Sequence, residues 1–222
     1  MIKELIKVIT RSDTQIIQYM MNHCSLVVWS VLLSMMIWTP VGIVASRKDK
    51  LSKWIMAIAN TIYCIPSLAL FAVIITIPVL GLGRRSALFA IVLYSMMPLV
   101  RSVDQGIRSV DSHVTEAAKG IGMSGLRILW EVELPLALPV IFAGFRVTVV
   151  MTTGIAALAT YIGEKNLGRL IAHGLARSNV EMVFIGAVLI SIIAVTLDSV
   201  LGLLERFVVP KGLRIERKRS YS

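Results

Sequence analysis

The chain reads as an all-α integral membrane protein with five membrane-crossing helices, and three observations predict this. Of its 222 residues 56% are hydrophobic, with mean hydropathy +0.80, against roughly 45–50% apolar content in soluble domains. Residues 25–46 contain no charge over 22 positions, and residues 54–83 none over 30, whereas a helix needs only ~20 apolar residues to cross a hydrocarbon layer of ~30 Å. Proline and glycine are scattered through these runs, as helices packed against neighbours in lipid tolerate.

The elements follow in order. Ile2, Leu5, Ile6 and Ile9 recur at helical spacing, with Lys3, Glu4, Lys7 and Arg11 between them. This predicts an amphipathic segment over 1–24 lying on the membrane surface; it lacks the charged, apolar, small-residue order of a cleavable leader. A single membrane domain occupies 25–207. Span one covers 25–45. Span two covers 54–77, with Pro66 inside it and Pro78 closing it. Span three, 86–100, has only 15 uncharged residues, so it extends past Arg101 or tilts against its neighbours. Span four starts near Pro135 or Pro139 and ends near Gly163, and span five covers 182–206. Residues 208–222 form a basic tail.

The net charge of +10 marks the flanks of spans rather than a nucleic-acid surface. With the turn after span one placed in the cytoplasm, fourteen lysines and arginines fall inside and eight outside. The rule of positive interior loops then puts the N-terminus outside and the C-terminus inside, with Arg84 and Arg85 dissenting.

The longest interior polar segment, about 103–133, exceeds an ordinary connector. Ala117, Ala118 and Lys119 favour helix, Ser112 or Thr115 is the expected cap, and Glu116 is expected in the first turn, where an acid suits the helix dipole. Gly120 and Gly122 end or bend that helix. Leu126, Ile128, Leu129 and Trp130 supply an apolar second one. Two short helices at an angle are the expectation, and a membrane protein uses such a polar elbow to receive a soluble partner.

Two ionisable residues fall inside spans. Arg146 lies 7–11 residues past Pro139 or Pro135, roughly 10–16 Å from the inner face. Asp198 lies nine residues before Phe207, roughly 13 Å from the same face. Charges in hydrocarbon are costly unless paired or facing a cavity, so the equal depths predict an Arg146–Asp198 ion pair, as a clamp or as part of a pathway. Tyr63, Phe71, Tyr94, Phe145 and Tyr161 also lie in the spans, where packing and interface anchoring are the ordinary roles of aromatic residues; no sequence rule says which of them face a pathway.

Catalysis has little to rest on. No phosphate-cradling Gly-x-x-x-x-Gly-Lys-Ser/Thr occurs, and Gly81-Leu82-Gly83-Arg84-Arg85 is a loop between spans. His23, His113 and His173 lack metal-ligand spacing. Glu131 and Glu133, two apart, do not share a helix face. Cys24 and Cys64 read as small buried hydrophobes. The chain therefore has no expected cofactor, metal or catalytic residue.

Glu116-Ala117-Ala118, Gly122, Val132 and Leu134-Pro135 resemble the signature of bacterial ABC-importer permeases, with Val132 where isoleucine is usual. Ile65-Pro66-Ser67-Leu68-Ala69-Leu70, Arg108-Ser109-Val110-Asp111, Ile162-Gly163 with Leu167-Gly168, Ile171 and Gly174-Leu175, and Asp198 with Leu204-Glu205-Arg206 are similar to the osmoprotectant permeases, which import glycine betaine, choline or carnitine. The likeness covers about 24–213. It departs at Glu164-Lys165-Asn166, where relatives usually carry Ala-Gly-Gly. Methionine permeases share the five-span plan.

The resemblance implies a multi-pass protein of the bacterial cytoplasmic membrane whose coupling helix inserts into a groove of an ATP-hydrolysing subunit. Glu116, Ala117, Ala118, Lys119, Gly120, Ile121 and Gly122 are the implied contacts. It also implies two copies of that ATPase, which would bind ATP and Mg, a second permease (homodimer or heterodimer), and an extracytoplasmic solute-binding protein. Import of methionine or another amino acid, or secondary transport without an ATPase, are the alternatives.

Overall fold

The computed structural model describes residues 2–209, with side chains from residue 15 onward. Ten helices succeed one another: α1 (Ile2–Ser46), α2 (Asp49–Cys64), α3 (Ser67–Ile74), α4 (Arg84–Tyr94), α5 (Met96–Arg108), α6 (Ser112–Gly120), α7 (Gly125–Ile128), α8 (Leu134–Leu158), α9 (Gly168–Ala176) and α10 (Val180–Val208). No strand occurs among the described residues. Among the described residues four stretches are long and apolar enough to cross a membrane: Gln15–Ser46, Arg84–Arg108, Gly125–Ile162 and Val180–Val208. The pair α2 and α3 passes the same test as one broken span. The basic tail lies, from residue 210 on, outside the described residues.

Three boundaries differ from those the sequence predicts. Span two is not a continuous helix: α2 and α3 meet at 96°. Pro66 cannot donate a backbone N–H and drives the residue before it out of helical geometry; Ile65 accordingly sits at φ −69°, ψ 127°. Span four begins well before Pro135, because α7 runs through a widened π turn, Leu129–Glu133, into α8. Pro135 leaves a carbonyl one turn earlier without its usual donor, and a wider turn accommodates that. The segment expected on the membrane surface joins span one in a single helix, with no break at residue 24. Span three does continue past Arg101, to Arg108.

The bundle is organised around α5 and α8. Leu99, Val103 and Ile107 of α5 interlock with Ala137, Ile141 and Phe145 of α8. Gly144 permits this approach: a Cβ there would fall 2.1 Å from that of Ser102. Small residues at helix contacts are how membrane bundles gain dispersion energy, since burial against lipid gives no hydrophobic gain. A second cluster joins Leu26 and Val27 of α1 to Phe71, Ile91 and Ala156, and a third packs α9 against α10 through Leu170, Ile185 and Ile190.

Candidate functional site

The polar elbow between α5 and α8 is built by local chemistry at both ends. Asp111 caps α6, its carboxylate accepting from the His113 backbone N–H at 2.9 Å. The expected caps do not act. Ser112 is already helical, and the Thr115 hydroxyl donates back to the Ser112 carbonyl. Because α6 starts at Ser112, Glu116 lies beyond its first turn, so the expected dipole contribution is lost.

The helix stops where its glycines stand. Gly122 adopts φ +85°; its N–H donates to the Lys119 carbonyl and that of Met123 to the Ala118 carbonyl, the paired bonds of a Schellman ending. Ser124 then caps α7.

Ala118, Ile128 and Leu129 turn inward, while Glu116, Ala117, Lys119, Gly120 and Gly122 lie exposed. Beside them stand bare apolar side chains: Ile121 is 81% and Leu126 73% exposed, with Val114 and Trp130 also uncovered. An apolar patch rimmed by polar residues marks an interaction surface.

Both ends of this elbow are tied to the turn between α1 and α2. Arg108, at the close of α5, donates to Asp104 at 3.0 Å, Asp49 at 2.5 Å and the Ala45 carbonyl at 3.3 Å. The second oxygen of Asp104 accepts from Ser52 at 3.2 Å. At the far end, Arg47 grips Glu133 with two guanidinium nitrogens. In the sequence Arg47 enters as an interior charge, and Arg108 as an interior charge and part of the Arg108-Ser109-Val110-Asp111 run; Asp104 lies one turn before Arg108 on the same helix, whereas Asp49 and Glu133 are too distant in sequence for spacing to reveal.

Inside the bundle the structure joins Arg146 to Asp198. Nε and Nη2 meet the two carboxylate oxygens at 2.7 and 2.8 Å, and Nη1 reaches Glu205 at 3.2 Å. Glu205 is absent from the predicted pair. Its place seven residues after Asp198 puts it two turns along the same face of α10. The cluster fastens α8 to α10.

The opposite end of the bundle carries its own polar knot. Arg84 donates to Glu164 at 3.2 Å and to the Ser25 hydroxyl at 2.8 Å, and Asn22 donates to the Lys165 carbonyl at 2.8 Å. Burial pushes the Glu164 carboxyl above its ordinary range, against the pull of Arg84. Asn166, fully buried, donates to the Ala156 carbonyl and accepts from the Gly168 N–H, both at 2.7 Å. The unusual Glu164-Lys165-Asn166 run is thus a stitched corner tying span four to α1 and α4. Arg84, dissenting in the charge count, is neutralised there. Residues 47, 49, 108 and 133 gather at one end of the bundle, and 22, 25, 84 and 164 at the other.

The family model "Binding-protein-dependent transport system inner membrane component" matches residues 38–210. The glycine betaine/carnitine/choline transport system permease protein OpuCD of Bacillus subtilis is 37% identical over 196 residues, covering 88% of this chain and 85% of the relative. The carnitine transport permease protein OpuCD of Listeria monocytogenes is 33% identical over 210 residues, covering 94% and 93%. The osmoprotectant import permease protein OsmW of Salmonella typhimurium is 38% identical over 196 residues, covering 87% and 91%. Among solved structures, a chain of the inward-facing MetNI methionine ABC transporter matches with a TM-score of 0.82 at 20% identity, covering 90% of this chain and 99% of that one; this likeness is one of fold.

Proposed function

Since the chain belongs to the family of binding-protein-dependent transport system inner membrane components, we propose that it is the permease subunit of an ATP-driven importer for a compatible solute such as glycine betaine, choline or carnitine. The names of its relatives support the solute class. The observation that carries the coupling role is the elbow: an exposed face with bare apolar side chains, anchored at both ends to the α1–α2 turn.

Two ATPase subunits would bind ATP and Mg, close on one another, and press on the elbow of each permease in a dimer. Residues 116–122, apart from the inward-turned Ala118, form the contact. Because Arg108 and Glu133 tie the elbow to Asp49 and Arg47, a displacement there moves α1, α2, α5 and α8 together rather than bending a loop. The Arg146–Asp198–Glu205 cluster keeps α10 attached to α8 during that motion. The bundle would turn outward, accept solute from an extracytoplasmic binding protein, and return after hydrolysis. In this scheme the elbow end is cytoplasmic, the N-terminus is outside, and this chain carries out no chemistry.

Glu116→Lys in the reconstituted transporter tests the reading. The variant is expected at wild-type abundance in the membrane with ATP-driven uptake reduced to background. Uptake at the wild-type rate, or uptake by the permease with no ATPase present, defeats the proposal.

A further inference from the structure

The exposed surface of α2 is of two kinds. Trp54 and Ile58 present an apolar face suited to lipid. Asn60 and Cys64, four residues apart, form a stripe with Tyr63 at its edge, and all three are exposed. Tyr63 lies ten residues past Lys53, about 15 Å along the helix, near the middle of a ~30 Å layer.

An exposed carboxamide and phenol at that depth cannot face hydrocarbon cheaply, because nothing there accepts their hydrogen bonds. Among the described residues the Tyr63 hydroxyl finds only the Met151 thioether, at 3.6 Å. The chain also breaks its helix immediately afterwards, and irregular backbone at membrane depth is tolerated where it is buried in protein or lines an aqueous cavity. Tyr94 meets part of that need by donating its hydroxyl to the Ile65 carbonyl.

The same contacts sort the aromatic residues of the spans. Phe71, Tyr94 and Phe145 are buried. Tyr161 is exposed, but it stands two residues before the Gly163 corner, where interfacial aromatics belong. Tyr63 alone of the five combines mid-span depth with exposure, at 44%. Its ring meets that of Tyr94 in a T-shaped contact, centroids 6.0 Å apart at 63°.

We propose that the Asn60–Tyr63–Cys64 stripe with Met151 is a wall of the solute pathway, and that the Tyr63 ring is its contact for a quaternary ammonium group. The inference rests on the importer reading above and names the site that reading leaves open. A ring face attracts a cation that carries no N–H donors and therefore needs no acceptor. Asn60, one turn away, offers donors to a carboxylate or hydroxyl on the same solute.

Cys64 reports on this directly, since thiols react as thiolates and these form in water rather than in lipid. The full transporter with its ATPase, in vesicles, is treated with a membrane-impermeant quaternary-ammonium methanethiosulfonate, and modification is read on the Cys64 peptide by mass spectrometry. The expected result is modification that excess tetramethylammonium slows. Tyr63→Leu should weaken that protection about tenfold, and Tyr63→Phe, which keeps the ring, should hold it within about twofold. No modification in either the nucleotide-free or the ATP-trapped state would overturn the wall, whatever the Tyr63 variants do. Modification with protection unchanged in Tyr63→Leu would overturn the ring contact. Neither failure touches the coupling proposal, which stands or falls on the Glu116 variant.

Discussion

Arg47 and Glu133, 86 positions apart in the chain, meet through two guanidinium nitrogens and two carboxylate oxygens, closing the elbow onto the turn that follows α1. Exposed ion pairs contribute roughly 0–1 kcal/mol to stability, so this contact holds geometry more than it holds the fold. Arg47→Glu alone is expected to lower solute uptake per ATP hydrolysed severalfold while shifting the melting temperature little. Arg47→Glu combined with Glu133→Arg should recover the coupling ratio. Measuring both quantities in proteoliposomes separates this from a folding defect.

Gly122 supplies the second prediction. Its φ of +85° costs an L-residue with a Cβ about 1–2 kcal/mol, although the space around it is open. Gly122→Ala is therefore expected to unravel the end of α6 and reduce ATP-driven uptake. Gly122→Asn, which tolerates that backbone region better, should retain more. Hydrogen exchange over 116–124 reads the unravelling independently of transport.

The Arg146 cluster yields a third. Arg146→Met leaves Asp198 and Glu205 without the guanidinium that both contact, and a lost charge-assisted bond costs about 1.5–3 kcal/mol. The purified variant should melt lower than wild type. Arg146→Lys keeps the charge but not the planar fork that meets both oxygens of Asp198, so it should recover only part of the difference. Full recovery by lysine would mean that charge alone matters here.

Glu164 gives a pH dependence. Its folded carboxyl titrates above the ordinary value of 4.5, chiefly because it is buried, with Arg84 opposing. The folded state therefore holds the proton more tightly than the unfolded state does. The associated stability is fully present below about pH 4.5 and is lost as pH rises through the folded value. Glu164→Gln, which resembles the protonated form, should remove this fall, and melting curves of both proteins from pH 4 to 8 check it. A wild-type curve parallel to that of Glu164→Gln would contradict the assignment.

Much of the fold is legible because lipid imposes a coarse code. Uncharged runs such as 25–46 announce a span whatever the tertiary contacts, and counting turns from each membrane face puts Arg146 and Asp198 at one level. The finer features depend on competition that spacing does not rank. Pro66 marks a disturbance, but the 96° bend reflects how α3 packs through Phe71 against Leu26 and Ile91. Three capping residues stand near the start of α6, and Asp111 wins over Ser112 and Thr115 through a contact two residues on. The bonds from Arg47 to Glu133, from Arg108 to Asp49 and from Arg84 to Glu164 are non-local, whereas the Arg108–Asp104 pair, four residues apart on α5, lies within reach of helical spacing. Glu164-Lys165-Asn166 looks like a change of surface charge until Asn166 is seen to be buried.

Helix α1 is fastened near both of its polar rims, at Ser25 to Arg84 and at Arg47 to Glu133. The 22 residue steps from Ser25 to Arg47 rise about 33 Å, close to the ~30 Å depth of hydrocarbon. A lengthwise slip of this strut would break the Arg84–Ser25 hydrogen bond at one end and the Arg47–Glu133 ion pair at the other. In a thinner membrane the mismatch is therefore met by tilt of the bundle as a whole or by local thickening of the lipid.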